Sequence, residues 1–207
     1  MIKICGITSL ADALLAAEAG ADAVGFVFAA ASPRRVTIEQ AAAITRELPA
    51  GLLKVGVFVD ADPAAMCDAA RRAALDVLQL HGEEPLAVAP LLAPWTSWKT
   101  LHMGQPGYLE VAAEWGDRAG ALLLDSGNAR ARGGTGRAFD WRQVAALEGL
   151  RLIVAGGLRP ETVAECIACT GAWGVDVSSG VESAPGRKDP RRLRAFVRAA
   201  QDAFASL

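Results

Sequence analysis

Histidine is scarce in this 207-residue chain, which has only His81 and His102. Neither stands at ligand spacing from a cysteine pair, so no metal site is expected. Cysteine is also sparse. Cys5, Cys67, Cys166 and Cys169 do not suggest a disulfide framework in a chain of this size. Cys166 and Cys169 form a C-x-x-C, but inside the helical stretch PETVAECIACTG they read as small apolar helix residues, and Cys67 reads as a buried structural thiol. No apolar run reaches the ~18 residues that would cross a bilayer. The N-terminus shows no charged patch followed by an apolar core and a cleavage site. A formal net charge of −2 supplies no cationic field for nucleic acid or an anionic membrane. The expectation is a cytoplasmic protein with neither nucleic acid nor membrane as partner, and with monomer and homodimer both open.

What the chain has is apolar residues, 52% of the total against 21% charged, enough for a substantial core. They come in eight short runs: IKIC, DAVGFVF, LKVGVFV, DVLQLH, WTSWKTL, GALLLDS, RLIVAGG and WGVDVSSG. Most are almost wholly apolar, as expected of parallel strands buried on both faces. Between them lie Ala-rich segments with helix signals. Ser9 with Asp12 and Thr37 with Gln40 resemble capping boxes. Gly20 ends the first helix, and Asp62-Pro63 and Asp189-Pro190 each place a cap before a first-turn proline. Asp140 can cap a helix at Trp141, whereas Pro90, Pro94 and Pro106-Gly107 blur the fourth and fifth helices.

Eight strand-then-helix units without a linker predict a (β/α)8 TIM barrel in the α/β class, one domain over residues 1–207. An open doubly wound sheet competes, but no G-x-G-x-x-G follows the first strand.

In such a barrel, chemistry sits where the strands end. Those positions carry Cys5, then Ser32-Pro33-Arg34-Arg35, Gln79 with His81, Asp125-Ser126, Gly156-Gly157, and finally Asp176 with Ser178-Ser179-Gly180. Gly156-Gly157 and Ser178-Ser179-Gly180 offer backbone N–H groups on adjacent strands, where an anionic phosphate fits. Glycines that merely serve tight turns are the bland alternative for each. The loop GNARARGGTGRAFDW carries Gly133, Gly134, Gly136 and Arg137, which suit a segment that closes over an anion; a solvated loop has the same composition. Arg34 or Arg35 offers a fork to a carboxylate, although solvent is the commoner partner.

Asp125 ends an apolar strand, so partial burial is expected to raise its pKa towards that of a general acid; an aspartate that only caps the next turn through Ser126 and Gly127 is the alternative. Cys5 leads into the first helix, whose N-terminal field is expected to favour thiolate; a buried structural cysteine is the usual alternative, but a place facing Asp125 across a barrel mouth favours the functional one. No histidine stands where it would activate Cys5 as an acyl-transfer nucleophile. An acid and a base across one mouth predict proton shuttling. His81 faces the same mouth by strand alternation.

The ordered set KICGIT, GADAVGFVF, SPRRV, VGVFV, LQLHGEE, LLLDS, GGTGRAFDW, AGGL and DVSSGVESAPGRKD, from Lys3 to Asp189, resembles the phosphoribosylanthranilate isomerase family of tryptophan biosynthesis. That resemblance implies a small-molecule substrate, N-(5-phosphoribosyl)anthranilate, rearranged to 1-(2-carboxyphenylamino)-1-deoxyribulose 5-phosphate without metal or organic cofactor. It implies Cys5 as general base, Asp125 as general acid and Arg34 on the anthranilate side. Phosphate would lie on Gly156, Gly157, Ser178, Ser179 and Gly180, with His81, Gly134 and Asp176 further candidates for substrate contact.

The departures are local. Ala29-Ala30-Ala31 stands where the family usually has Tyr-Pro-Lys, which removes a basic contact at the pocket edge. Arg137 replaces a lysine with charge kept. Arg159-Pro160 lacks the usual Asn cap, a loss of about 1 kcal/mol. A sibling phosphate-binding barrel, either a histidine-biosynthesis isomerase or indole-glycerol-phosphate synthase, fits less well. The first would place an aspartate after strand one within a half-repeat. The second needs lysines and glutamates on strand ends, where Lys99 alone is well placed. A silent metabolite-binding barrel would have lost Cys5 or Asp125.

Overall fold

The computed structural model describes residues 1–127 and 139–207. Eight parallel strands close into a barrel in sequence order: β1 (Ile2–Cys5), β2 (Ala23–Val27), β3 (Leu53–Phe58), β4 (Val77–Leu80), β5 (Thr96–His102), β6 (Ala121–Asp125), β7 (Leu152–Val154) and β8 (Gly174–Val177). All eight predicted runs are strands. The seam is made by β1, which pairs with β2 through Cys5 opposite Gly25 and with β8 through Lys3 opposite Asp176.

Side chains alternate across each strand, giving two cores. Ala23, Val55, Val77, Trp98, Ala121, Leu123, Ile153 and Ala155 fill the barrel interior. The intervening residues, such as Ile2, Ile4, Val24, Phe26, Leu78, Leu80, Leu122 and Leu124, join the larger core beneath the helices. Along β1 the same alternation puts Lys3 and Cys5 inside, both buried.

The helices are α1 (Leu10–Ala19), α2 (Ile38–Thr45), α3 (Pro63–Arg72), α4 (Tyr108–Trp115), α5 (Val163–Thr170) and α6 (Pro190–Phe204). Ser9 Oγ accepts from Asp12 N, and Gly20 closes α1 in the left-handed region. The Thr37–Gln40 box is complete in both directions. Asp62 and Asp189 cap α3 and α6 ahead of their prolines. Where prolines blurred the pattern after β4, a 3-10 segment, Leu86–Leu92, replaces a helix around Pro90. Asp140 caps a second one, Trp141–Leu147. The helix expected at Arg159-Pro160 opens later, at Val163, and Thr162 Oγ1 accepts from Arg159 N at 3.1 Å. No side chain caps α5, so the missing Asn cap is not replaced at the helix itself. A short hairpin, β9 (Glu182–Ala184) with β10 (Arg187–Lys188), follows β8. Among the described residues no helix is long and apolar enough to cross a membrane.

The cysteines divide differently from expectation. Cys166 is buried core, its thiol pushed up to about 12 by burial, while Cys169 is exposed and Cys67 only half-buried.

Candidate active site

A cavity of about 620 Å³ opens at the C-terminal end of the barrel, within the size range of small-molecule sites. Its lining includes Cys5, Arg34, His81, Asp125, Gly156, Gly157, Asp176, Ser178, Ser179 and Gly180, so ten of the residues singled out from sequence meet in one space. Gly134, with Gly133, Gly136 and Arg137, lies outside the described residues. Ala29, Ala30 and Ala31 line the rim, as expected of a pocket edge without a basic side chain.

On the β1–β8 side the cavity rests on buried charge. Lys3 Nζ lies 3.0 Å from Asp176 Oδ2, with Lys3 fully enclosed. Lys188, from β10, reaches back under β1, donating to the Cys5 carbonyl at 2.5 Å, to the Ser178 carbonyl at 3.3 Å and to Glu182 Oε1 at 3.0 Å. Glu182 also takes the Arg34 fork through two bonds of 2.8 and 2.7 Å. Gly25 makes room for this arrangement. A Cβ there would stand 2.8 Å from Cys5 Sγ and 3.1 Å from Lys3 Nζ. Burial pushes the Cys5 thiol up, further than the Lys3 and Lys188 ammonium groups pull it down. Asp176 Oδ1 and Ser178 Oγ have no hydrogen-bond partner among the described residues.

The β4–β6 side is arranged around an imidazole. His81 Nε2 lies 3.3 Å from Asp125 Oδ2, and His81 Nδ1 meets Gln79 Nε2 at 3.1 Å and Thr100 Oγ1 at 3.0 Å. With Gln79 donating to Nδ1, the ring proton sits on Nε2 and points at the carboxylate. Gly127 N donates to Asp125 Oδ1 at 3.1 Å. Burial acts to raise the Asp125 pKa, but His81 and the Gly127 amide outweigh it and hold the carboxyl below its ordinary range. His102 packs edge-on to His81 at 5.4 Å and is itself held down, first by burial and then by His81. Gly156 and Gly157 both lie in the left-handed region, and a Cβ at Gly156 would collide with Ser126 N at 2.5 Å.

The family model for N-(5'-phosphoribosyl)anthranilate (PRA) isomerase matches residues 2–199. The chain belongs to this family. It is 47% identical over 201 residues to the N-(5'-phosphoribosyl)anthranilate isomerase of Geobacter sulfurreducens, covering 97% of this chain and 98% of the relative. It is 46% identical to that of Pseudomonas putida (strain F1), with 97% of each covered. Among solved structures, PRA isomerase from Thermotoga maritima superposes with a TM-score of 0.89 at 37% identity, covering 97% of this chain and 98% of that one. A phosphoribosyl anthranilate isomerase in complex with reduced 1-(o-carboxyphenylamino)-1-deoxyribulose 5-phosphate gives 0.85 at the same identity and coverage.

Set against a PRA isomerase, three expectations need correction. Asp125 is not raised by burial; it is held ionised by His81 and a backbone amide. Cys5 is not drawn towards thiolate by α1, because desolvation in the barrel dominates. Arg34 lines the cavity, but its fork is taken by Glu182. Lys99, the residue best placed for the synthase alternative, is buried elsewhere, donating to Glu84 Oε2 at 2.7 Å and to the Gly82 carbonyl at 2.8 Å. What sequence reasoning missed was Lys3, Glu182 and Lys188. Lys3 stands two residues before Cys5 on a four-residue strand, so period-two alternation already put both on one face.

Proposed function

We propose that this chain, as a single barrel over residues 1–207, isomerises N-(5-phosphoribosyl)anthranilate to 1-(2-carboxyphenylamino)-1-deoxyribulose 5-phosphate by general acid–base catalysis, a step of tryptophan biosynthesis in the cytoplasm. The observation that carries this reading is the meeting of Cys5 and Asp125 in one cavity, with the Gly156-Gly157 and Ser178–Gly180 turns on its wall. The phosphate lies on those two turns, where glycine lets backbone approach an anion closely. Arg34, steadied by Glu182, faces the anthranilate carboxylate with whatever edge of its guanidinium the clamp leaves.

Asp125 delivers a proton to the furanose ring oxygen as the anthranilate nitrogen pushes its lone pair towards C1′. The ring opens to a protonated Schiff base. That cation acidifies the C2′ hydrogen, which the Cys5 thiolate removes to give an enolamine. Protonation at C1′ and loss of the O2′ proton then yield the ketone, so the substrate's own nitrogen is the electron sink. The free site holds a thiol and a carboxylate, whereas this chemistry uses a thiolate and a carboxylic acid. The two arrangements contain the same number of protons. His81, with Nε2 on Asp125 Oδ2, is the group through which Asp125 receives its proton.

The test is turnover of phosphoribosylanthranilate by the purified chain, followed as loss of anthranilate fluorescence. A fluorescence decay proportional to enzyme supports the reading. A decay no faster than that of the spontaneously hydrolysing substrate refutes it.

A further inference from the structure

The buried ammonium of Lys3 is the least expected group in the barrel. A lysine is almost never fully enclosed without a specific partner, and isolated charge in such a place is strongly disfavoured. Lys3 nevertheless has no exposed surface and stands among the interior residues of β1. Its one ion-pair partner is Asp176 at 3.0 Å, and its Nζ makes no well-aligned hydrogen bond among the described residues. Its other neighbour is the Cys5 thiol: Sγ and Nζ abut the same point above Gly25, at 2.8 and 3.1 Å from where a Cβ would be. β2 supplies no charge here, only Gly25, and the empty side-chain position leaves sulfur and ammonium facing each other.

The charges around Cys5 are unequal. Lys3 and Arg34 are cationic, as is Lys188 in its ion pair with Glu182, although burial draws the Lys188 ammonium down; Asp176 and Glu182 are anionic. The cluster has one positive charge in excess while Cys5 is a thiol, and is neutral once Cys5 is a thiolate. Resting on the isomerase reading above, we propose that Lys3 is a positioning residue for the reaction: it supplies the counter-charge against which the Cys5 thiolate forms, and Asp176 keeps that ammonium in place and competes for it. Lys188 and Arg34 are tied to Glu182 and to carbonyl oxygens, so they contribute at longer range. Among the described residues Lys3 has only the one carboxylate, and it is the cation on the sulfur's own strand face. Asp176 and Cys5 together outweigh burial and keep the Lys3 ammonium charged.

The proposal is tested on Cys5 itself, without substrate. The thiolate absorbance near 240 nm is followed against pH in the parent and in Lys3→Met, each corrected by its Cys5→Ser counterpart, alongside the pH dependence of alkylation at Cys5. In Lys3→Met the Cys5 titration should move to higher pH, alkylation at about pH 8 should slow roughly tenfold, and kcat should fall at least about tenfold with KM little changed. Asp176→Asn should act in the opposite direction, moving the Cys5 titration to lower pH because Lys3 then has the sulfur alone. An unmoved titration in a folded Lys3→Met overturns the proposal. If Lys3→Met does not fold, Asp176→Asn decides it, and a titration that stays or rises there overturns it equally. Failure of the parent to turn over phosphoribosylanthranilate would refute the isomerase reading and leave the sulfur titration readable.

Discussion

The two sides of the barrel mouth answer the same stress in opposite ways. On both, an acidic group is withdrawn from water, which favours its neutral form. At Cys5 burial prevails and the sulfur keeps its proton. At Asp125 burial is overcome and the carboxyl gives its proton up. The difference lies in how the neighbours are engaged. His81 and the Gly127 amide aim N–H groups directly at the carboxylate oxygens, while the Lys3 ammonium beside the sulfur is shared with Asp176. A committed hydrogen bond offsets desolvation better than a cation with a prior partner.

Removing either pole tests the comparison most severely. Cys5→Ala and Asp125→Asn should each lower kcat by about 10²–10⁴-fold with KM little changed, and the double variant should be far less than multiplicative, because the two act on one proton inventory. Steady-state fluorescence kinetics on the three proteins measures this; near-normal turnover in Cys5→Ala would remove the sulfur from the mechanism. His81→Asn comes next. It leaves Asp125 without the imidazole, so the carboxyl should rise towards its ordinary range. The acidic limb of the kcat/KM profile should move up, while loss of the proton relay through His81 should cost roughly tenfold at neutral pH; a profile unchanged in shape would separate His81 from proton delivery.

Gly25→Ala forces a methyl against Cys5 Sγ and Lys3 Nζ. It should destabilise by about 1–3 kcal/mol on denaturant unfolding and leave the Asp125 side untouched. The smallest effect is in the pH dependence of stability. Asp125 and Glu182 have lowered folded values, so their contributions are whole above the ordinary carboxylate range, about pH 4, and are lost as acid passes through those values. Cys5 has a raised folded value, so its contribution is whole below the ordinary thiol range and is lost as pH rises through the folded value. Unfolding measured across pH should therefore show a shallower acid limb in Asp125→Asn and a shallower alkaline limb in Cys5→Ala. The same slope in variant and parent would sever each assignment.

The barrel and the membership of its mouth were legible because both rest on local pattern. Eight apolar runs with helix signals between them fix strand ends, and strand ends are where a closed barrel gathers polar groups. Protonation was not legible. Whether Asp125 rises or falls depends on the 3.3 Å approach of His81 from two strands away, and no spacing along the chain contains that distance. Arg34 and Glu182 are 148 residues apart, which hid the clamp on the arginine fork. Lys3 was within reach, but a lysine near an N-terminus reads as solvated unless alternation is applied to a run of only four residues.

The seam brings the start and the end of the polypeptide together. Lys188 donates to the Cys5 carbonyl, Thr8 Oγ1 to the Gly186 carbonyl, and Asp12 accepts from Lys188 N. During synthesis, a ribosome that has released the first 170 residues has delivered His81 and Asp125 in full. The sulfur's surroundings still lack Asp176, Glu182 and Lys188. Cys5, among the first residues made, meets the last of its charged neighbours only once Glu182 and Lys188 have followed, so its electrostatic setting is among the final parts of the barrel to be assembled.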